Sequence, residues 1–162
     1  MKKVKILGID PGLATVGFAA VQFFPTEIYN FGVFRTDAGK SLPERLSEIA
    51  ADFSEICEKF EPDFLAIEDL VFVKNVTNGL AVAHARGVIL QIAAARGVPI
   101  VEILPKDVKL KICGYGNAPK KQVQKMVQKL FDLENLPRPD DAADALAIAF
   151  VARKETGNFK LK

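Results

Sequence analysis

Four carboxylates and a short glycine-containing turn hold most of the chemistry this chain can offer. Asp10 ends an apolar run and opens Asp10-Pro11-Gly12, and Glu68 ends a second run, Phe64-Leu65-Ala66-Ile67. Asp141 and Asp144 lie three apart at the start of a late helical segment, so they share a face. Like charges at that spacing repel unless a cation bridges them. Mg²⁺ takes oxygen ligands and suits phosphate substrates. Two such ions, with Mn²⁺ as a substitute, activate water and stabilise the oxygen leaving a phosphodiester. In that scheme Asp10 is the central ligand and Glu68 and Asp144 complete the two sites. Asp141 binds metal or orients the water. Each acid also has a plainer reading. An Asp at a strand end caps a turn, and Asp140, Asp141 and Asp144 complement the dipole of a helix start. The Asp10-Pro11-Gly12 turn is either a tight hairpin entry or backbone kept near metal and phosphate. It is not a Walker loop, because the Gly-Lys-Ser/Thr ending is absent.

These acids need a frame. Alternation and apolar runs predict strands over 4–9, 16–24, 28–34, 64–67 and 98–104. Gly32 marks a bulge or a close approach. Helical spacing predicts a helix from Leu42 to Phe60, with Pro43 in its first turn. Residues 71–79 read as a loop, and a helix rich in small residues spans 77–96. Pro105 opens a short helix to Ile112, and Pro119 starts another. Pro137-Arg138-Pro139 is a stiff connection, after which Asp140 or its neighbour caps the last helix. The small Ala142 and Ala143 allow that helix to approach the sheet. Strand ends of a parallel sheet face one crevice, so Asp10 and Glu68 reach the same cleft. The element order predicts an α/β fold whose first three strands form a meander. One domain covers 1–155, followed by a polar tail, 156–162.

Composition agrees with a packed enzyme. The chain has 162 residues, 49% hydrophobic with 12 Phe, enough for one core. Two cysteines and one histidine, His84, are too few for a structural zinc site. The N-terminal apolar run is too short for a membrane span, so a cytoplasmic protein is expected. Net charge is only +2, but seven lysines face two acids between Glu102 and Lys129, a local excess that suits phosphates or a solvated face.

The stretches Ile6-Leu7-Gly8-Ile9-Asp10-Pro11-Gly12, Ala66-Ile67-Glu68, Lys74-Asn75, Ala85-Arg86-Gly87-Val88, Gln122-Val123-Gln124-Lys125-Met126-Val127 and Asp141-Ala142-Ala143-Asp144-Ala145-Leu146-Ala147-Ile148-Ala149 occur together in order. With them the chain resembles the RuvC family of Holliday-junction resolvases, of the ribonuclease-H-like superfamily. That resemblance implies a five-stranded mixed sheet flanked by helices. It implies a homodimer that nicks a four-way DNA junction symmetrically, leaving 5′-phosphate and 3′-hydroxyl ends. A branch-migration motor of the RuvA–RuvB type is the implied partner. Asp10, Glu68, Asp141 and Asp144 match the family's catalytic acids.

The family's junction-stacking aromatic falls at Val71 here. Phe72 is the candidate replacement, or else it packs the loop onto its own domain. Lys74 and Asn75 are expected DNA contacts. Lys109, Lys111, Lys120 and Lys121 resemble the family's backbone-contacting bases. Arg86 meets phosphate or pairs with a carboxylate near the dimer seam. The small residues of the 77–96 helix, where the family dimerises, allow close helix approach. Competing readings are a nuclease of structured RNA, as in YqgF-type relatives, and a non-catalytic junction-binding scaffold.

Overall fold

The computed structural model describes residues 2–71 and 76–155. The expectations placed on Phe72, Lys74, Asn75 and the tail 156–162 lie outside them. The strands are β1 (Val4–Asp10), β2 (Thr15–Phe23), β3 (Glu27–Arg35), β4 (Phe64–Glu68) and β5 (Ile100–Ile103). The helices are α1 (Leu42–Phe60), α2 (Val76–Ala95), α3 (Pro105–Cys113), α4 (Lys120–Leu130) and α5 (Asp140–Glu155). They form one five-stranded sheet of order β3-β2-β1-β4-β5. The meander β1-β2-β3 is antiparallel, while β4 pairs parallel with β1 and with β5.

Side-chain alternation decides which layer each residue enters. Ile6, Ala19, Val21, Phe64 and Ala66 bury into a core shared with α3, α4 and α5. Leu7, Ile9, Phe18, Leu65 and Ile67 bury into a second core shared with α1 and α2. The central strands are covered on both faces, and so their sequences are nearly continuous apolar runs. The same parity carries Asp10 and Glu68 to the α5 side. It carries Asp69, one residue on, to the α2 side.

The structure refines four sequence readings. Val76 to Gly79 are helical, so α2 starts inside the stretch read as a loop. The strand at 98–104 shrinks to Ile100–Ile103, because Val98 instead closes the end of α2 through its N–H to Ala93. Asp140 is the first residue of α5 and not its cap; the N–H of Ala142 donates to Pro139. The β-bulge sits where Ala20 and Val21 pair with Asn30 and Ile28, leaving Tyr29 over. Gly32 serves the other expectation, close approach: a side chain there would meet the Phe18 ring at 3.3 Å.

Two further glycines set the depth of α5. A Cβ at Gly17 would lie 2.0 Å from the main-chain oxygen of Asp141. A Cβ at Gly8 would lie 2.3 Å from the oxygen of Ala145 and 2.9 Å from the Ala149 Cβ. Helix α5 therefore rests on bare backbone of β1 and β2. The sheet supplies this space as much as the alanines of the helix do.

Candidate metal centre

Asp10 is the last residue of β1, opposite Gly17 on β2. Glu68 is the last residue of β4, and Ile9 pairs with Ile67 beside it. The first two turns of α5 lie over this point and deliver Asp141 and Asp144. Carboxylate oxygens of Asp10, Asp141 and Asp144 fall within 4.8 Å of one another. Glu68 stands beside this trio, close enough for its charge to act on Asp10. The structure thus gathers all four predicted acids, three of them in ligand-sharing range.

Burial and mutual repulsion make the bare cluster unfavourable. Burial, then the charges of Glu68, Asp144 and Asp141, push the Asp10 carboxyl up to about 8. Burial, then Asp144, raise Glu68 to about 7. Burial also raises Asp144, opposed by Lys120. Oxygen donors of one charge, drawn together and partly removed from water, fit a hard divalent cation. The four acids would hold it.

Two lysines bring opposite charge to the same place. A cleft of about 240 Å³ is lined by Glu68, Asp144, Lys109 and Lys120, with Pro105, Val108, Val123 and Ile148 as its apolar wall. The Lys120 ammonium lies 3.2 Å from Asp144 and 3.7 Å from Asp140. Lys120 is therefore tied to the acidic cluster while its side chain stays half exposed. Lys111 is not part of this cleft; it pairs with Glu155 along a separate depression beside β5. Lys121 is exposed next to Lys120. Arg86 sits on α2 and turns to the Glu68 carbonyl and to the carboxylates of Asp69 and Glu102. Of its two expected roles, carboxylate pairing is the one seen.

Residues 6–152 match the family model described as Crossover junction endodeoxyribonuclease RuvC. The chain belongs to the RuvC family. A RuvC of Moorella thermoacetica is 49% identical over 146 residues, covering 89% of this chain and 87% of that one. A RuvC of Thermosipho melanesiensis is 44% identical, covering 94% and 99% respectively. The solved structure of T. thermophilus RuvC in complex with Holliday junction substrate superposes with a TM-score of 0.86 at 31% identity, over 93% of each chain. The mixed sheet and flanking helices are thus those of a RuvC, with its ribonuclease-H-like fold. RuvC nucleases are metal-dependent, in keeping with the acidic cluster.

Sequence reasoning found the four acids and Lys120. It missed Gly8 and Gly17 as supports for α5, although both sit in strand patterns where an interior glycine signals close backbone approach. It also missed the bond from Arg86 to the Glu68 main chain. Among the described residues, no helix is long and apolar enough to cross a membrane.

Proposed function

We propose that this RuvC-family chain resolves four-way DNA junctions by paired symmetric nicks, hydrolysing phosphodiesters with Mg²⁺ and leaving 5′-phosphate and 3′-hydroxyl ends. The observation that carries this is the gathering of Asp10, Asp141 and Asp144, with Glu68 beside them, against a lysine-lined cleft. Asp10, Glu68, Asp141 and Asp144 are the residues that would hold the cations, with Asp10 central and Asp141 holding cation or orienting water. When bound, the cations supply positive charge against the phosphoryl oxygens and acidify a water for attack. Mn²⁺ has the same oxygen preference and substitutes.

The chain's own groups do the rest. Lys109 and Lys120, which line the cleft, neutralise backbone phosphate and hold the strand there. Lys121 and Lys111 extend the basic surface outward. The resemblance assigns Phe72 to stacking on junction bases and Lys74 and Asn75 to DNA contact. The apolar wall at Val108, Val123 and Ile148 limits water around the acids, which strengthens their electrostatic interactions.

A homodimer fits the symmetry of the reaction. The two nicks require two sites related by a twofold axis, and an isologous interface provides that. Helix α2 is the surface proposed for it: Leu80 is 57% exposed, and Gly87, Ala94 and Ala95 are exposed small residues on the same helix. The protein works in the cytoplasm, in one domain over 1–155, beside a branch-migration motor of the RuvA–RuvB type.

The test is ligation. A synthetic mobile junction labelled on each strand in turn should be nicked on two strands of like polarity. T4-type ligase should then reseal the products without prior phosphorylation. Nicks that resist sealing, or cuts on a single strand only, count against the proposed chemistry.

The raised acids also predict a pH dependence. Asp10 and Glu68 titrate above ordinary carboxylates. Without cation, the fold therefore favours their protonated forms. That stability is fully present below about pH 4 and is lost as pH rises through about 7 to 8. The cation-free protein is expected to lose several degrees of Tm between pH 6 and pH 9. Saturating Mg²⁺ should flatten the loss, because the cation binds the ionised acids. Thermal melts in EDTA and in Mg²⁺ across that range measure both.

A further inference from the structure

Glu68 lies outside the three acids that share ligand range, so its place at the centre depends on what fixes the end of β4. Parity turns the Glu68 side chain toward α5, while its neighbour Asp69 faces α2. From α2, the Arg86 side chain reaches this strand end. Its Nε–H donates to the main-chain oxygen of Glu68 at 3.2 Å. One terminal nitrogen donates to Asp69 Oδ1 at 3.2 Å and also to the Glu102 carboxylate on β5. Asp69 Oδ1 in turn accepts the N–H of Leu70 at 2.8 Å, and the Asp69 N–H donates to Ile103. The arginine side chain is 12% exposed, whereas Asp69 and Glu102 are 41% and 49% exposed. The guanidinium is the partly buried hub of this group, its Nε–H and one terminal nitrogen occupied by the protein's own acceptors.

We propose that Arg86 is a positioning residue for the metal centre: by clamping the Glu68 carbonyl between α2, Asp69 and Glu102, it fixes the Glu68 carboxylate against Asp10 and Asp144. This rests on the reading of the four acids as a cation site. A planar fork is required. One edge nitrogen holds the main-chain oxygen while another holds two carboxylates, and an ammonium at the end of a flexible stem does not reproduce that geometry. Arg86 thus acts on the reaction from the opposite face of the sheet, without touching DNA or cation.

Mn²⁺ binding to the DNA-free protein, followed by electron paramagnetic resonance, tests this without relying on cleavage. Arg86→Gln is expected to weaken Mn²⁺ binding about 10- to 100-fold, as loss of a ligand-orienting group does. Glu68→Gln should weaken it at least as much. The double variant should be no more than about twofold weaker than Glu68→Gln alone, because Arg86 acts through Glu68. Arg86→Lys keeps the charge facing Asp69 and Glu102; it should melt near the wild type yet still bind Mn²⁺ weakly. That variant carries the test if Arg86→Gln does not fold. Losses that multiply in the double variant overturn the proposal, as does wild-type Mn²⁺ affinity in Arg86→Lys. Unchanged Mn²⁺ affinity with weaker, less salt-dependent junction binding would instead make Arg86 a phosphate contact. If Asp10→Asn and Glu68→Gln both leave Mn²⁺ binding intact, the cation-site reading itself fails, a result separate from any ratio at Arg86.

Discussion

Asp10→Asn is expected to abolish junction cleavage while making the cation-free protein more stable. Asp10 is the acid at the centre of the cluster, and burial with the charges of its neighbours raises it to about 8. An amide there removes a charged ligand and leaves the remaining acids to bind cation alone. Loss of several kcal/mol of transition-state stabilisation amounts to about 10³-fold or more in rate. The amide can also donate to Asp141 and Asp144, relieving the repulsion that burial imposes on three carboxylates. At pH 9 in EDTA the Tm should therefore rise by roughly 2–6 °C, about 1–2 kcal/mol for a chain of this size. Junction binding should persist, since a negative charge has been removed from beside the phosphates. Single-turnover cleavage and thermal melts read the two effects. A variant that loses both activity and stability would mean Asp10 is a structural residue.

Gly17→Ala carries the second large effect, and it reaches the site without altering any acid. Its Cβ would sit 2.0 Å from the Asp141 oxygen, backbone that belongs to a helix and cannot rotate aside. Helix α5 must lift by more than an ångström at its first turn. That carries Asp141 and Asp144 away from Asp10, and a displacement of that size costs about 10²-fold in rate. Overpacking adds about 1–3 kcal/mol of destabilisation, several degrees of Tm. Gly8→Ala should behave similarly, since its Cβ meets α5 one turn further along, at Ala145. A fully active Gly17→Ala enzyme would show that α5 can shift without disturbing the acids.

The legible part of this molecule is the part written in periodicity and charge. The apolar runs ending in Asp10 and Glu68 gave the strand ends, and alternation places both acids on one face. The late Asp141–Asp144 pair at helical spacing gave the third element of the site. Contacts made by absence were harder to read. Gly8 and Gly17 matter because they lack a side chain, and sequence alone does not show which helix fills the space. Arg86 was legible only as a cation that could meet phosphate or carboxylate, since its partners Asp69 and Glu102 come from two different strand ends. Residues 76–79 read as loop because Val76-Thr77-Asn78-Gly79 has weak helix formers and no acidic first turn, although the small-residue helix is already placed from 77. Lys111 and Lys120 looked alike in sequence; the fold separates them, pairing one with Glu155 and the other with Asp144.

The most direct measurement compares strand cleavage of a synthetic four-way junction and a linear duplex of the same sequence, with Mg²⁺ and with EDTA. Cutting confined to the junction, dependent on Mg²⁺ and lost in Asp10→Asn, is the predicted result. Tight junction binding with no cutting in Mg²⁺ or Mn²⁺, across varied junction sequences, would contradict it and leave a binding scaffold.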